Sequence, residues 1–108
     1  MKTIELKTFE DLQFEPHPHA VTLKGLYASQ QDIDPYIEQM FEAVQAVMQF
    51  PNGYGISVLC GVQFYSNGRD TYEVGTRYCE DDYCSQWQVV GWKTREEVEE
   101  IMIELQMR

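Results

Sequence analysis

Two histidines one residue apart, His17 and His19, and two cysteines, Cys79 and Cys84, are the side chains of this 108-residue chain best suited to hold a metal ion. Imidazole nitrogen and thiolate sulfur are zinc donors, but zinc sites place paired cysteines about two to four residues apart and paired histidines about three to five apart. Here four residues separate the cysteines and one separates the histidines. The spacing speaks against zinc, and no metal or other cofactor is expected. A disulfide between Cys79 and Cys84 is sterically possible, with two free loop thiols as the alternative. Cys60 falls on an apolar alternation and reads as a small core hydrophobe, with no histidine near it in sequence to act as a base. Glu80-Asp81-Asp82 lacks the alternating acids and the glycine of a calcium loop. Asn52-Gly53-Tyr54-Gly55 is glycine-rich but lies between two strands, whereas a phosphate-cradling loop leads into a helix.

What remains is binding rather than catalysis. Eighteen acids against eight bases give a net charge of -10, so direct contact with a phosphate backbone is not expected. The acids suit a basic protein partner instead. Tyr54, Tyr65, Tyr83, Trp87 and Trp92 exceed what a small core needs, and aromatics beside acids favour protein contacts. The candidate partner-binding residues are Glu80, Asp81, Asp82, Tyr83 and Trp87 in one loop, and Glu96, Glu99, Glu100 and Glu104 on one helix face. No apolar run suggests a signal peptide or membrane span, and three cysteines are an odd number. Both point to a cytoplasmic protein with free thiols and no membrane partner. Self-association through an edge strand is a further possibility.

Positioning these residues is the task of one α+β domain, because 108 residues leave room for a single core. A short first strand is expected at 2–6 and a second at 20–28, separated by the Pro16-His17-Pro18-His19 break. Asp34-Pro35 opens a helix to about 42, Asp as N-cap and Pro at the first helical position. Helical periodicity alone would continue to 49. Register favours a strand at 44–50 instead. Across a three-residue Pro51-Asn52-Gly53 loop, Phe50 faces Tyr54, Met48 faces Ile56, Ala46 faces Val58 and Val44 faces Cys60. All eight side chains then share one face. Strands at 55–65 and 69–79 follow, joined by a three-residue Ser66-Asn67-Gly68 loop that sets Val62 against Tyr72, Cys60 against Val74 and Ile56 against Tyr78. Residues 80–85 read as a polar loop and 86–92 as a last short strand. Thr94-Arg95-Glu96-Glu97 is a capping box for a helix at 95–107. Its stripe of Val98, Ile101, Met102 and Leu105 is expected to pack on the even-numbered face of the antiparallel meander.

Three segments carry a resemblance. Phe9–His17, Gln45–Val58 and Tyr72-Glu73-Val74, followed by Gly91 and Thr94–Ile101, resemble small, mostly uncharacterised proteins encoded by bacteriophages and prophages. Phe50-Pro51-Asn52-Gly53-Tyr54-Gly55 is the most specific part. Residues 20–43 look like an insertion relative to that pattern, and the Cys79–Cys84 loop replaces a stretch usually free of cysteine. The resemblance implies a phage origin and nothing catalytic. The expected function is therefore a non-enzymatic accessory protein that binds a host or viral protein. An acidic inhibitor of a host defence or nucleic-acid-handling protein is one form of it. The alternatives are a small metal- or thiol-dependent enzyme and a structural or assembly protein.

Overall fold

The structure, a computed structural model, describes residues 5–108. It is an antiparallel six-stranded sheet with one long helix on one face and a two-helix excursion at one edge. In chain order the strands are β1 (Glu15–Pro16), β2 (Val44–Gln49), β3 (Tyr54–Cys60), β4 (Thr71–Glu80), β5 (Tyr83–Cys84) and β6 (Gln88–Thr94). The helices are α1 (Pro18–Leu26), α2 (Pro35–Met40) and α3 (Arg95–Gln106). Strands neighbour one another as β1-β2-β3-β4, and β5 and β6 both pair with β4.

The β2–β3 hairpin has the register expected from its alternation: Val44 opposite Cys60, Ala46 opposite Val58, Met48 opposite Ile56. Gly53 takes the left-handed position of the turn at φ 96°, and the Phe50 N–H donates to the Tyr54 carbonyl at 2.8 Å. Even-numbered side chains of β2, β3 and β4 form the covered face. Ile56, Val58 and Val74 are fully buried there against Val98 and Met102 of α3, with Leu105 nearly so. Each such side chain contributes about 1.5–3 kcal/mol by leaving water. Phe9 and Leu12 close the cluster from the N-terminal side, where Phe9, Phe14 and Tyr72 stack their rings. α3 opens on the expected capping box: Thr94 Oγ1 accepts from the Glu97 N–H, and the Glu97 carboxylate accepts from the Thr94 N–H at 3.0 Å.

Five expectations need correction. The strand at 2–6 falls mainly on residues outside those described, and Glu5 and Leu6 are not in a strand; the short N-terminal strand is β1. Residues 20–28 are not a strand but most of α1. Pro18 sits in the first turn of that helix, and His17 caps it by accepting from the His19 N–H through Nδ1 at 3.1 Å. The Pro-His-Pro-His break is thus a helix start. The β3–β4 connection is not a three-residue loop but the ten residues 61–70, so β3 stops at Cys60 and β4 starts at Thr71. Val58 faces Val74 and Ile56 faces Thr76, a register two residues from the expected one. A two-residue slip preserves the face of every side chain, which is why the core face was still the right one. Side chains build that loop. The buried Ser66 hydroxyl donates to the Thr71 carbonyl and accepts from the Gly61 N–H. Asn67 Oδ1 accepts from the N–H groups of Arg69, Asp70 and Thr71. Gly68 is left-handed as expected, at φ 78°. Residues 80–85 are not an irregular loop but a tight hairpin, with Glu80 opposite Tyr83 and Cys79 opposite Cys84. The last strand begins at Gln88, leaving Trp87 outside it, and extends to Thr94.

Residues 17–43 leave the sheet and return beside their starting point, since Pro16 pairs with Val44. α2 starts as expected, with Asp34 Oδ1 accepting from the Tyr36 N–H at 2.8 Å. Within α1 and α2 only Ala20 is buried. The molecule is correspondingly elongated: its radius of gyration is 16.0 Å, against about 13 Å for a compact chain of this length.

Candidate functional site

The two pairs of residues best suited to a metal, His17 with His19 and Cys79 with Cys84, are far apart. His17 donates its backbone N–H to the Ala43 carbonyl, at the end of β2 where the excursion returns. The Cys79 N–H donates to the Gly53 carbonyl, at the opposite end of the same sheet. Cys79 and Cys84 are joined by a disulfide, with Cα atoms 4.0 Å apart, so they are neither free thiols nor ligands here. Among the described residues no group of three or more His, Cys, Asp or Glu side chains is close enough to share an ion. His17 instead packs its ring 4.9 Å from that of Phe64. Burial, then the neighbouring His19, push its pKa down, while Glu73 pulls the other way. Cys60 is a buried free thiol whose Sγ lies 3.8 Å from Ser66 Oγ. Its burial pushes the thiol pKa up, which suppresses the nucleophilic thiolate.

The acidic loop is a projecting, clamped finger. β4 runs past the end of β3 and turns through Asp81 and Asp82, where Asp81 takes a left-handed φ of 54°. Aspartate tolerates that conformation better than most side chains do. Glu80, Asp81, Asp82 and Tyr83 are all exposed, Tyr83 at 70%. The disulfide crosses the finger one pair behind its tip. Just below, the Ser85 N–H donates to the Tyr78 carbonyl and Ser85 Oγ accepts from the Tyr78 N–H.

The helix acids are spread along the length of α3. Asn52 Nδ2 donates to the Leu105 carbonyl, and Arg108 stacks over Tyr54. The C-terminus of α3, with Glu104, therefore lies toward the finger, Glu96 lies at the other end, and Glu99 and Glu100 fall at the middle of the helix. Their availability also differs. Glu99 accepts from the Phe9 N–H, and Glu104 pairs with Arg108 at 2.7 Å. Glu96 and Glu100 are exposed.

Sequence reasoning missed what surrounds Trp87. Its ring lies over Gly75 on the sheet face opposite α3, where a Cβ on Gly75 would come within 3.2 Å of Trp87 Cε3. The Arg77 guanidinium stacks on the same ring, 4.2 Å from its centroid. Arg77 Nε is shielded from water and has no hydrogen-bond acceptor. The segments are ten residues apart and meet only through β4–β6 pairing, so the sole local hint was the odd-numbered spacing of Gly75 and Arg77. This face carries no helix, and Val47 and Val89 on it are 59% and 51% exposed.

Two open grooves of about 480 Å³ flank the excursion. One lies between α1 and the approach to β2, lined by Ala20, Val21, Lys24, Phe41 and Val44; the other lies between Gln39, Glu42, Val62 and Arg69. Neither contains a histidine or a cysteine. Among the described residues no helix is long and apolar enough to cross a membrane. No protein family, curated protein or solved structure matches the chain.

Proposed function

We propose that this protein acts by binding another protein, and that the Glu80–Tyr83 finger makes the first contact. The observation that carries the proposal is the combination at its tip: three carboxylates and a tyrosine, all exposed, on a two-residue hairpin crossed by a disulfide. A binding element held in one shape loses little entropy on association, which improves affinity without added contacts. The carboxylates together with the net charge of -10 favour a basic partner and speed the encounter. In this reading Trp87, at the base of the finger, extends the contact, and Glu96 and Glu100 act only as long-range charge.

The phage resemblance supplies a setting in which such a protein serves as a non-enzymatic accessory factor. It would engage a host or viral protein, for example by occupying a basic nucleic-acid site. The test is capture from bacterial lysate on immobilised protein, comparing the wild type with the triple variant Glu80→Gln, Asp81→Asn, Asp82→Asn. Asparagine also accepts the left-handed position, so the hairpin survives the change. A basic protein retained by the wild type, released by salt and lost with the triple variant is the expected result. Equal retention of the same partner by both proteins, at the same salt, overturns the assignment to the finger.

A further inference from the structure

We infer that Trp92, Tyr65 and Glu73 form a docking site for an arginine side chain of a partner protein. The site lies at the end of the sheet away from the finger and does not depend on what the finger binds.

Trp92 has a φ of 57°, in the left-handed region, which is rare for a bulky aromatic residue. A bulge in β6 produces it. Lys93 pairs with Tyr72 and Val90 with Val74, so Gly91 and Trp92 stand opposite Glu73 alone. The loop between β3 and β4 holds the bulge in place. The Trp92 N–H donates to the Tyr65 carbonyl at 2.9 Å, and the Tyr65 N–H donates to the Glu73 carboxylate at 3.2 Å. A Cβ on Gly91 would overlap the Tyr65 Cβ, so glycine is required beside the tryptophan. Strain of this kind persists where its surroundings impose it, and bulges re-aim side chains next to functional sites. The strained residue does not serve the core: Trp92 is 59% exposed and Tyr65 62%.

The chain's own arginines show what fits beside such rings. Three of the four stack on an aromatic side chain: Arg77 on Trp87, Arg95 on Phe9 and Arg108 on Tyr54. Two of these also pair with a carboxylate, Arg95 with Glu10 at 3.2 Å and Arg108 with Glu104 at 2.7 Å. Each of those two guanidinium groups contacts a ring and an acid at once. Trp92, Tyr65 and Glu73 offer the same two kinds of contact, since Glu73 uses only one oxygen on the Tyr65 N–H. Among the described residues no cation stacks on either ring. Lys93, next in sequence, lies 4.0 Å from Glu97.

Local charge favours a cation as well. Across the sheet Glu73 stands opposite Leu59, Leu59 opposite Gln45 and Gln45 opposite Glu15, a row with two acids and no base. Arg77, on the same face, is four residues further along β4, about 13 Å away at a strand's rise per residue. Arginine suits the site better than lysine, because a planar guanidinium stacks on a ring and still presents its N–H groups to a carboxylate.

The test is a titration of isotope-labelled protein with a capped Gly-Arg-Gly peptide to about 20 mM, read at the two indole N–H signals. Trp87 is the internal reference, because Arg77 already covers its ring. A saturable shift at Trp92 in the millimolar range, with little change at Trp87, is expected. The peptide with citrulline, planar but uncharged, should give no saturable shift, and the lysine peptide should bind more than about threefold more weakly. Glu73→Gln keeps an acceptor for the Tyr65 N–H and removes the charge; it should weaken arginine binding about threefold. Trp92→Asn, whose side chain accepts a left-handed backbone, should unfold no earlier than the wild type while the Tyr65 and Glu73 amides stop responding to peptide. Absence of a saturable shift at Trp92 overturns the inference, as does a Trp92→Asn protein that binds like the wild type. Equal movement of both indoles, or equal affinity for arginine and lysine peptides, would mean diffuse attraction to an acidic chain and would overturn it too.

Discussion

Replacing Gly53 by alanine tests the turn on which the β2–β3 register depends, and Gly68 provides an internal comparison. Both residues have positive φ, 96° and 78°, so alanine at either site incurs about 1–2 kcal/mol of backbone strain. What the new methyl group meets then separates them. At Gly53 it would lie 2.7 Å from the Cys79 carbonyl oxygen and 2.7 Å from Tyr78 Cε2. The carbonyl belongs to β4, whose Cys79 N–H is bonded to the Gly53 carbonyl at 2.8 Å, and it cannot move without stretching that bond. Weakening one such hydrogen bond costs about 1 kcal/mol more, for a total of about 3 kcal/mol. At Gly68 the methyl group meets Val62 Cγ1 at 2.8 Å, the end of a half-buried side chain that can rotate. The total there stays near the strain alone, about 1.5–2 kcal/mol. For a domain of this size about 1 kcal/mol corresponds to about 4 °C in Tm. Thermal and urea unfolding of both variants is the assay, with a loss of about 12 °C expected for Gly53→Ala and about 6–8 °C for Gly68→Ala. A Gly68→Ala loss equal to or larger than that of Gly53→Ala would refute the argument.

Three further outcomes follow from contacts described above. The Glu97 carboxyl is held below its ordinary value of 4.5, first by the Thr94 backbone N–H and then by its hydroxyl. Its stabilising contribution is therefore complete above pH 4.5 and lost as pH falls through the lower folded value. The stability gap between wild type and Glu97→Gln, followed by urea unfolding, should close in acid, and a gap that stays constant to low pH excludes the capping role. Reducing the Cys79–Cys84 disulfide, which spans five residue steps, should cost about 2 kcal/mol through the entropy of the unfolded chain; amide exchange should quicken in the finger and not in β2, and uniform quickening would contradict its local placement. His17 caps α1 through an unprotonated Nδ1, and its pKa lies below the ordinary 6.5. Protonation therefore occurs more readily in the unfolded segment, and the protection of the His19 amide, its exchange rate relative to an unstructured peptide at the same pH, should fall as pH drops below 6.5; unchanged protection would show that the cap does not hold the helix.

The parts of the fold legible in the sequence are those where burial imposes a period. β2 and β3 present eight apolar side chains to one face, and only one pairing accommodates all of them. The capping box of α3 is legible because both hydrogen bonds lie within four residues. The 61–70 loop is not, because a buried Ser66 hydroxyl and the Asn67 amide replace the backbone bonds of a short turn, and their partners are set by folding. α1 is not legible because it buries only Ala20, so packing left no period to find. At the finger, the turn uses Asp81 in the left-handed position where glycine is the usual marker. Its exposed acids were visible locally, but the Arg77–Trp87 stack required knowing that β6 returns beside β4.

The excursion at 17–43 has a consequence for how the chain tolerates change. Its two ends, Pro16 and Val44, are paired neighbours in the sheet, and almost none of its side chains enter the core. Closing a long segment across such a junction costs only logarithmically more than closing a short one. The sheet edge thus acts as a socket, into which segments can be spliced, shortened or exchanged while the apolar core stays with β2, β3, β4 and α3. Replacing residues 17–43 by a tight turn would leave a smaller protein with the same core. Conversely, foreign sequence inserted between α1 and α2 would be displayed away from the sheet.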